Sequence, residues 1–166
     1  MSRVGITGHQ DLTPTVAEFV AGQLRRVLGA HEKLIGITSL AVGADQLFAR
    51  TVLALGGTLE VIVPAATYRA TFTSREDLAA YEALLARATI TTLPFIEPSE
   101  EAFLAAGQEV ARRSDSLIAV WDGRPAHGTG GTADIVAYAK SLGVPVLVIW
   151  PKGEQREQPG VLDKSA

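Results

Sequence analysis

The feature that most constrains the fold is a regular alternation of short β-rich runs with amphipathic helical patterns. Six runs have the composition of strands, at residues 3–7, 33–38, 59–63, 90–93, 116–121 and 144–150. Between them lie five stretches with apolar residues at helical spacing, which begin near residues 14, 44, 74, 100 and 132. Alternating strands and helices predict a parallel sheet with right-handed crossovers.

Three of the runs are almost entirely apolar, which is expected of strands whose sheet is covered by helices on both faces. The sequence therefore predicts an α/β fold: a single Rossmann-like three-layer α/β/α domain with a mainly parallel sheet of about six strands. Local signals support the helices. Thr13 can cap the first helix with Pro14 at its first position, and Ser99 can cap the fourth.

The length of 166 residues fits one domain, and 47% apolar with 20% charged residues is ordinary for a globular protein. We assign residues 1–150 to the Rossmann-like domain. Residues 151–166 are polar and contain Pro159 and Gly160, so they are predicted to form a loose C-terminal tail.

The composition excludes several classes of function. Without cysteine the chain has no disulfide framework or thiolate metal site, and it suits the cytoplasm. A net charge of −3 argues against nucleic acid as a partner. The sequence shows no signal peptide and no apolar run of bilayer length, so we expect no membrane association. His9, His31 and His127 lack ligand spacing, and no metal site is predicted.

Small and polar residues concentrate directly after the strands, where open parallel sheets bind their ligands. We therefore predict a ligand site at the carboxyl ends of the strands. The predicted ligand-binding residues are Gly8, His9, Gln10, Gly43, Ala44, Asp45, Asp122, Gly123, Gly128, Thr129, Gly130, Gly131 and Thr132.

The strongest element is the loop Gly128-Thr129-Gly130-Gly131-Thr132, which precedes the fifth helix. Glycines let backbone N–H groups approach a phosphate, and the helix N-terminus adds a positive dipole. The alternative is a turn that needs positive φ. The loop lacks the lysine of a P-loop, and the first strand lacks G-x-G-x-x-G, so dehydrogenase chemistry is not expected.

Individual side chains keep two interpretations each. Asp45 and Asp134 either favour a helix dipole or bind ribose hydroxyls. His9 either contacts the ligand or stabilises its turn. Arg69 and Arg75 either supply positive charge to the site or are solvated surface residues.

Three motifs together resemble the SLOG superfamily. They are Gly5-Ile6-Thr7-Gly8-His9-Gln10, Ser39-Leu40-Ala41-Val42-Gly43-Ala44-Asp45, and Asp115 to Gly123 followed by Gly128 to Thr132. The resemblance covers about residues 3–150. This superfamily includes the LOG phosphoribohydrolases, the DNA-processing protein A fold and nucleotide-sensing domains. It implies a Rossmann-like sheet that binds nucleotides, often as a homodimer.

LOG enzymes carry P-G-G-x-G-T-x-x-E, whose Glu acts with an Arg of the preceding helix. Matching Gly131-Thr132 to that motif places Ile135 at the Glu position and Ala106 or Gly107 at the Arg position.

The first hypothesis is therefore a nucleotide-binding or nucleotide-sensing domain that requires no cofactor. The alternative is a phosphoribohydrolase with Asp134 or Asp122 as its catalytic carboxylate, and a third possibility is DNA binding. The sequence leaves open an effector protein as partner.

Overall fold

The computed structural model describes residues 1–125 and 131–154, in which strands and helices alternate. The strands are β1 (Ser2–Gly8), β2 (Leu34–Thr38), β3 (Thr58–Val63), β4 (Ala88–Thr92), β5 (Ser116–Val120) and β6 (Val146–Ile149). The helices are α1 (Pro14–Leu28), α2 (Ala44–Ala54), α3 (Arg75–Leu85), α4 (Glu100–Arg113) and α5 (Thr132–Ser141). A 3-10 helix (Tyr68–Thr71) follows β3.

The strands form one parallel sheet in the order β4-β3-β2-β1-β5-β6. The chain first adds β2, β3 and β4 on one side of β1. It then crosses back through α4 to place β5 on the other side of β1. The strand order therefore reverses between β1 and β5.

Helices cover both faces of this sheet. On one face, Val4 and Ile6 of β1 pack in a core with Val16 of α1 and Phe48 of α2. On the other face, Leu117 of β5 packs in a second core formed with α4 and α5. The predicted α/β class and three-layer, Rossmann-like architecture are confirmed.

The helices differ in how they begin. The Thr13 side chain accepts a hydrogen bond from the Val16 N–H (3.2 Å), and Ser99 caps α4 in the same way. By contrast, α2 and α5 have glycine at the cap, Gly43 and Gly131, and therefore have no side-chain cap. These two N-termini keep backbone donors that a capping side chain would otherwise occupy.

Salt bridges tie the strands together towards the amino end of the sheet. The guanidinium of Arg3 makes two 2.8 Å hydrogen bonds to the carboxylate of Glu60, and Arg113 lies 3.6 Å from it. The hydrogen bonds from Arg3 hold the pKa of Glu60 below its usual value. This cluster joins β1, β3 and α4 on the half of the sheet away from the predicted site.

Some element ends differ from the sequence prediction. The helical pattern that begins near residue 74 continues in the sequence to residue 88, but α3 ends at Leu85 and Ala88 already pairs with Leu59 of β3. The last strand is shorter than predicted because its pairing with β5 covers only Val146–Ile149. These boundaries depend on which strand lies alongside, and that neighbour is distant in sequence.

The sixth strand is also less covered than its apolar sequence predicts. Leu147 and Val148, on opposite faces, are 45% and 47% exposed. The reason is that β6 forms an edge of the sheet, beyond the helices that cover the central strands. Phe19 and Leu55 continue the apolar spacing of the first two helical patterns, yet they are likewise partly exposed.

Several predicted features fall partly outside the described residues. Gly128, Thr129 and Gly130 of the glycine loop, together with His127, lie outside them, as do residues 155–166 of the predicted tail. At 151–154 the chain forms a turn, in which the Trp150 Nε1 donates to the carbonyl of Glu154 (2.9 Å). No helix within residues 1–125 and 131–154 is long and apolar enough to cross a membrane.

Candidate ligand-binding cleft

A cleft of about 630 Å³ opens at the carboxyl ends of the central strands. It is lined from β1 by Thr7, Gly8 and His9, and it extends to the 3-10 helix, α4 and the start of α5. The cleft lies where the strand order reverses. Open α/β sheets bind ligands at this position, because the loops after neighbouring strands diverge there and leave a crevice.

His9 joins the elements around this crevice. Its N–H donates to the carbonyl of Val120 in β5 (3.1 Å), and its carbonyl accepts from the N–H of Ala44 in α2 (3.2 Å). Its Nε2 lies 3.2 Å from both the backbone nitrogen and Oδ1 of Asp122. The ring also meets Trp150 edge to face at 5.5 Å. His9 therefore holds β1, β5 and α2 together while it lines the cleft.

Asp122 is buried beside His9 and does not line the cleft. Its Oδ1 accepts a hydrogen bond from the N–H of Arg124 (3.0 Å), across Gly123 at φ 83°. The carbonyl of Arg124 in turn accepts from Trp121 Nε1 (2.8 Å). These bonds form a turn that places Arg124, a residue not predicted from the sequence, at the cleft.

Asp45 lines the cleft and organises the loop between β2 and α2. Its Oδ2 accepts hydrogen bonds from the N–H groups of Ser39 (3.3 Å) and Ala41 (3.2 Å). Between them Leu40 adopts φ 57°, an uncommon conformation for a side chain of this size. Burial raises the pKa of Asp45 to about 7, against the opposing effect of its backbone hydrogen bonds and of Thr38.

Gly43 and Ala44 support the cleft without lining it. Gly43 adopts φ 82°, and a Cβ there would lie 2.5 Å from the carbonyl oxygen of Gln10 and 2.7 Å from that of His9. Only glycine lets the start of α2 approach the β1–α1 loop this closely. Gln10, in that loop, does line the cleft.

The start of α5 forms one wall of the cleft. Gly131, Thr132 and Ala133 line it, whereas Asp134 is exposed and does not. Asp134 and Ile135 donate their N–H groups to the carbonyl of Gly131 (3.1 and 3.3 Å). The first positions of a helix have N–H groups with no intrahelical acceptor, so Thr132 and Ala133 bring backbone donors to the cleft.

The floor between α4 and α5 is apolar. A Cβ on Gly107 would lie 2.4 Å from Cδ1 of Ile135, which shows how closely the two helices approach. Both residues line the cleft, as does Ala106. The positions that match the Arg and Glu of LOG enzymes therefore meet here in an apolar contact.

An aromatic group that also lines the cleft was missed by the sequence analysis. Tyr68, Phe72 and Phe103 line the cleft, and Tyr68 lies edge to face with Phe72 (5.3 Å) and Phe103 (6.2 Å). Tyr68 follows β3 directly, so its position at a strand end was the available signal. Phe103 belongs to α4, whose apolar residues gave no such indication.

The charges around the cleft are mixed. Asp11, Asp45 and Arg124 are its charged lining residues among those the structure describes. Arg69 and Arg75, considered as cations for the site, do not line it, and exposed Arg69 pairs with Glu82 at 3.0 Å. Within 1–125 and 131–154, no group of three or more acidic or histidine side chains is placed to hold a metal ion.

Comparisons with known proteins identify the fold. No protein-family model matches the sequence, and no curated protein matches it. Among solved structures, DNA processing protein A from Streptococcus pneumoniae superposes with a TM-score of 0.70 at 16% identity, over 98% of this chain and 54% of that one. The chain thus spans about half the length of that protein. The corresponding protein from Helicobacter pylori gives 0.69 at 18% identity, over 99% and 73% of the two chains.

A molybdenum cofactor carrier protein from Chlamydomonas reinhardtii also matches, with a TM-score of 0.54 at 17% identity over 89% of this chain and 75% of that one. These structures share the Rossmann-like α/β fold of this chain, so the fold that the sequence resemblance implied is confirmed. Proteins of this fold hold different ligands, since the Helicobacter protein binds single-stranded DNA and the Chlamydomonas protein carries molybdenum cofactor.

Proposed function

We propose that this protein binds a nucleotide, or a nucleotide-derived ligand that carries a phosphate, in the cleft at the carboxyl ends of β1 and β5. The observation that carries the proposal is the start of α5, which opens into the cleft with Gly131 as its cap and Thr132 and Ala133 in its first turn. Backbone N–H groups and the helix dipole together favour an anion at this point.

The remaining contacts suit the rest of such a ligand. Arg124 adds positive charge at the same cleft, and Gly8, His9 and Gln10 bring the β1 loop beside it. Gly128, Thr129 and Gly130 directly precede α5 in the sequence and remain predicted contributors to phosphate binding. The volume of about 630 Å³ falls in the range of small-molecule sites.

The proposal is for binding or sensing, with hydrolysis as the alternative. The carboxylates first considered for catalysis, Asp122 and Asp134, do not line the cleft, whereas Asp11 and Asp45 do. A phosphoribohydrolase needs a carboxylate that can reach the sugar, and the placement of Asp122 and Asp134 gives neither of them that role. Release of free base nevertheless belongs in the binding assay.

Wider expectations from the sequence stay part of this proposal. They are a domain at residues 1–150 with a polar tail at 151–166, a homodimer in the cytoplasm, no required cofactor, and an effector protein as a further partner.

The test is a thermal-shift screen followed by calorimetric titration with nucleoside mono-, di- and triphosphates, ADP-ribose and NAD. A ligand that binds only the folded state stabilises the protein, by about 2.7 kcal/mol when the free ligand concentration is a hundred times Kd. Free base is followed in the same samples. We expect stabilisation without base release.

The decisive variant is Thr132→Pro. Proline suits the first position of a helix, and Gly131 before it has the extended ψ of 174° that proline requires, so the substitution removes one N–H donor while preserving α5. Thr132→Val keeps the N–H and removes only the hydroxyl. Glu100→Pro makes the same change at the first position of α4, outside the cleft lining.

We expect Thr132→Pro to weaken nucleotide binding at least tenfold, and Glu100→Pro to leave it unchanged. Equal affinities for Thr132→Pro and the wild type would remove α5 from the site. A wild-type protein that binds none of the ligands would overturn the proposed function, and release of free base by the wild type would establish the hydrolase instead.

A further inference from the structure

Three aromatic rings form what we call the aromatic wall of the cleft: Tyr68, Phe72 and Phe103. Phe72 is supported from behind by Tyr81, on which it stacks at 4.4 Å. Tyr68 and Phe72 are 5% and 8% exposed, but Phe103 is 38% exposed. The wall is therefore rigid at its back and open at Phe103.

Exposure of a single large apolar side chain is ordinary, so exposure alone does not mark Phe103. Phe19 on α1 is equally exposed, at 39%, but it does not line the cleft. Phe103 is distinguished by its position inside a concave site, within ring-contact distance of Tyr68. Such a surface fits a flat apolar or heteroaromatic group.

The aromatic wall extends from the β3 side of the cleft towards the α5 start. Tyr68 and Phe72 follow β3, whereas α5 follows β5. Phe103 links the two sides, because it contacts Tyr68 and lies four residues before Gly107, which packs against Ile135 of α5. Four helical residues rise about 6 Å. A ligand that contacts both Phe103 and the α5 start must therefore carry its ring and its anion on a short spacer, as a sugar does in a nucleotide.

A buried polar group lines the same cleft as the wall. Burial, together with the charge of Asp45, raises the pKa of Tyr68. Asp45 itself is 7% exposed and lines the cleft. A carboxyl group in the lining can accept further hydrogen bonds, so the cleft suits a ring with N–H donors better than a hydrocarbon.

We propose that the aromatic wall binds the planar heteroaromatic ring of the ligand, with the ring packed on Phe103 and the phosphate at the α5 start. This inference rests on the proposed function, since it takes the phosphate at α5 as its other anchor. Stacking on an aromatic side chain is sequence-tolerant, so Phe103 sets affinity for a ring rather than the choice among bases.

The experiment measures the affinities of AMP, GMP, CMP and UMP by calorimetric titration. Ribose 5-phosphate is the probe without a base, and its affinity is measured directly and by its displacement of the tightest-binding nucleotide. Phe103→Leu keeps an apolar side chain and removes the ring, while Phe103→Trp keeps a ring. The matched control is Phe19→Leu, because Phe19 is equally exposed and outside the cleft.

We expect Phe103→Leu to weaken the nucleoside monophosphates by at least about fivefold, which is the lower end for loss of one base stack. Ribose 5-phosphate should change by less than twofold, and Phe103→Trp and Phe19→Leu should bind like the wild type. Thr132→Pro should weaken both kinds of probe.

Two results would overturn the inference and leave the proposed function intact. In the first, Phe103→Leu binds nucleotides with the affinity of the wild type. In the second, Phe103→Leu loses equal affinity for nucleotides and for ribose 5-phosphate. Failure of the wild type to bind any nucleotide of the thermal-shift screen would overturn both proposals. Unchanged thermal unfolding of Phe103→Leu without ligand shows that the losses arise in the cleft.

Discussion

Nε2 of His9 lies 3.2 Å from Oδ1 of Asp122, although the two residues are 113 positions apart. They follow β1 and β5, the two strands between which the strand order of the sheet reverses. Both side chains are buried, and the ring of His9 also contacts Trp150. The pair therefore fixes the spacing of the loops on which the cleft depends.

Replacing His9 should destabilise the protein as well as alter the cleft. We expect His9→Ala to lower the free energy of unfolding by about 2–3 kcal/mol, because it leaves the buried Asp122 N–H without its acceptor and opens a space beside Trp150. Urea unfolding measures the change. The control His31→Ala, outside the cleft lining, should change it by less than about 0.5 kcal/mol. Equal effects of the two substitutions would contradict this role.

A comparison of substitutions at Gly43 and Gly56 distinguishes the cost of a positive φ from the cost of a close backbone contact. Their φ values are 82° and 81°, but a Cβ on Gly43 would meet backbone atoms at 2.5–2.7 Å, whereas Gly56 has nothing within 4 Å. Gly56→Ala should cost about 1–2 kcal/mol, which is the penalty for the left-handed conformation. Gly43→Ala should cost at least about 2 kcal/mol more, since backbone must move. Similar decreases in the free energy of unfolding for the two variants, measured with urea, would show that the β1–α1 loop can move at little cost.

The raised pKa of Asp45 makes stability depend on pH in a definite direction. Its value moves from 3.8 to about 7, so between these limits the folded protein holds a proton that the unfolded chain has lost. The contribution is fully present below pH about 4 and declines as the pH rises to about 7. The whole loss is about 4 kcal/mol at most.

Asp45→Asn isolates this contribution, because the amide keeps an oxygen acceptor for Ser39 and Ala41 but does not titrate. Urea unfolding at pH 5, 6, 7 and 8 should show the variant gaining stability relative to the wild type as the pH rises. A constant difference between the two proteins would show that Asp45 titrates alike in the folded and unfolded states.

Gly107 and Gly22 test the contact between α4 and α5. Both are helical, but a Cβ on Gly107 would lie 2.4 Å from Ile135, while on Gly22 its nearest neighbour is at 3.8 Å. Gly22→Ala should stabilise the protein by about 0.5–1 kcal/mol through helix propensity. Gly107→Ala should destabilise it by about 1–3 kcal/mol through overpacking. Stabilisation by both substitutions would mean that Ile135 repacks without cost.

Features that depend on near neighbours in the sequence were predictable. Thr13 and Ser99 were identified as helix caps because a cap and the N–H that it accepts are three residues apart. Gly8, His9 and Gln10 were placed at a strand end, where the cleft lies, since the rule for parallel sheets needs only the end of the strand.

Features that depend on neighbours distant in the sequence were not predictable. Phe103 reaches the cleft because α4 crosses the sheet from β4 to β5, and the sequence does not specify that path. Asp134 was considered equally with Asp45, yet the helical turn directs Thr132 and Ala133 to the cleft and leaves Asp134 exposed. The contact of His9 with Asp122 likewise requires the strand order.

The position of β5 also bears on how the protein folds. The first four strands are sequence neighbours that can pair in the order of synthesis, whereas β5 must return to β1 across most of the chain. Until it does so, β1 presents an open edge and uncovered apolar residues, a state that favours aggregation. The long-range pairing that ends this stage is the same event that forms the cleft, so the cleft is complete only when β1 no longer has an open edge.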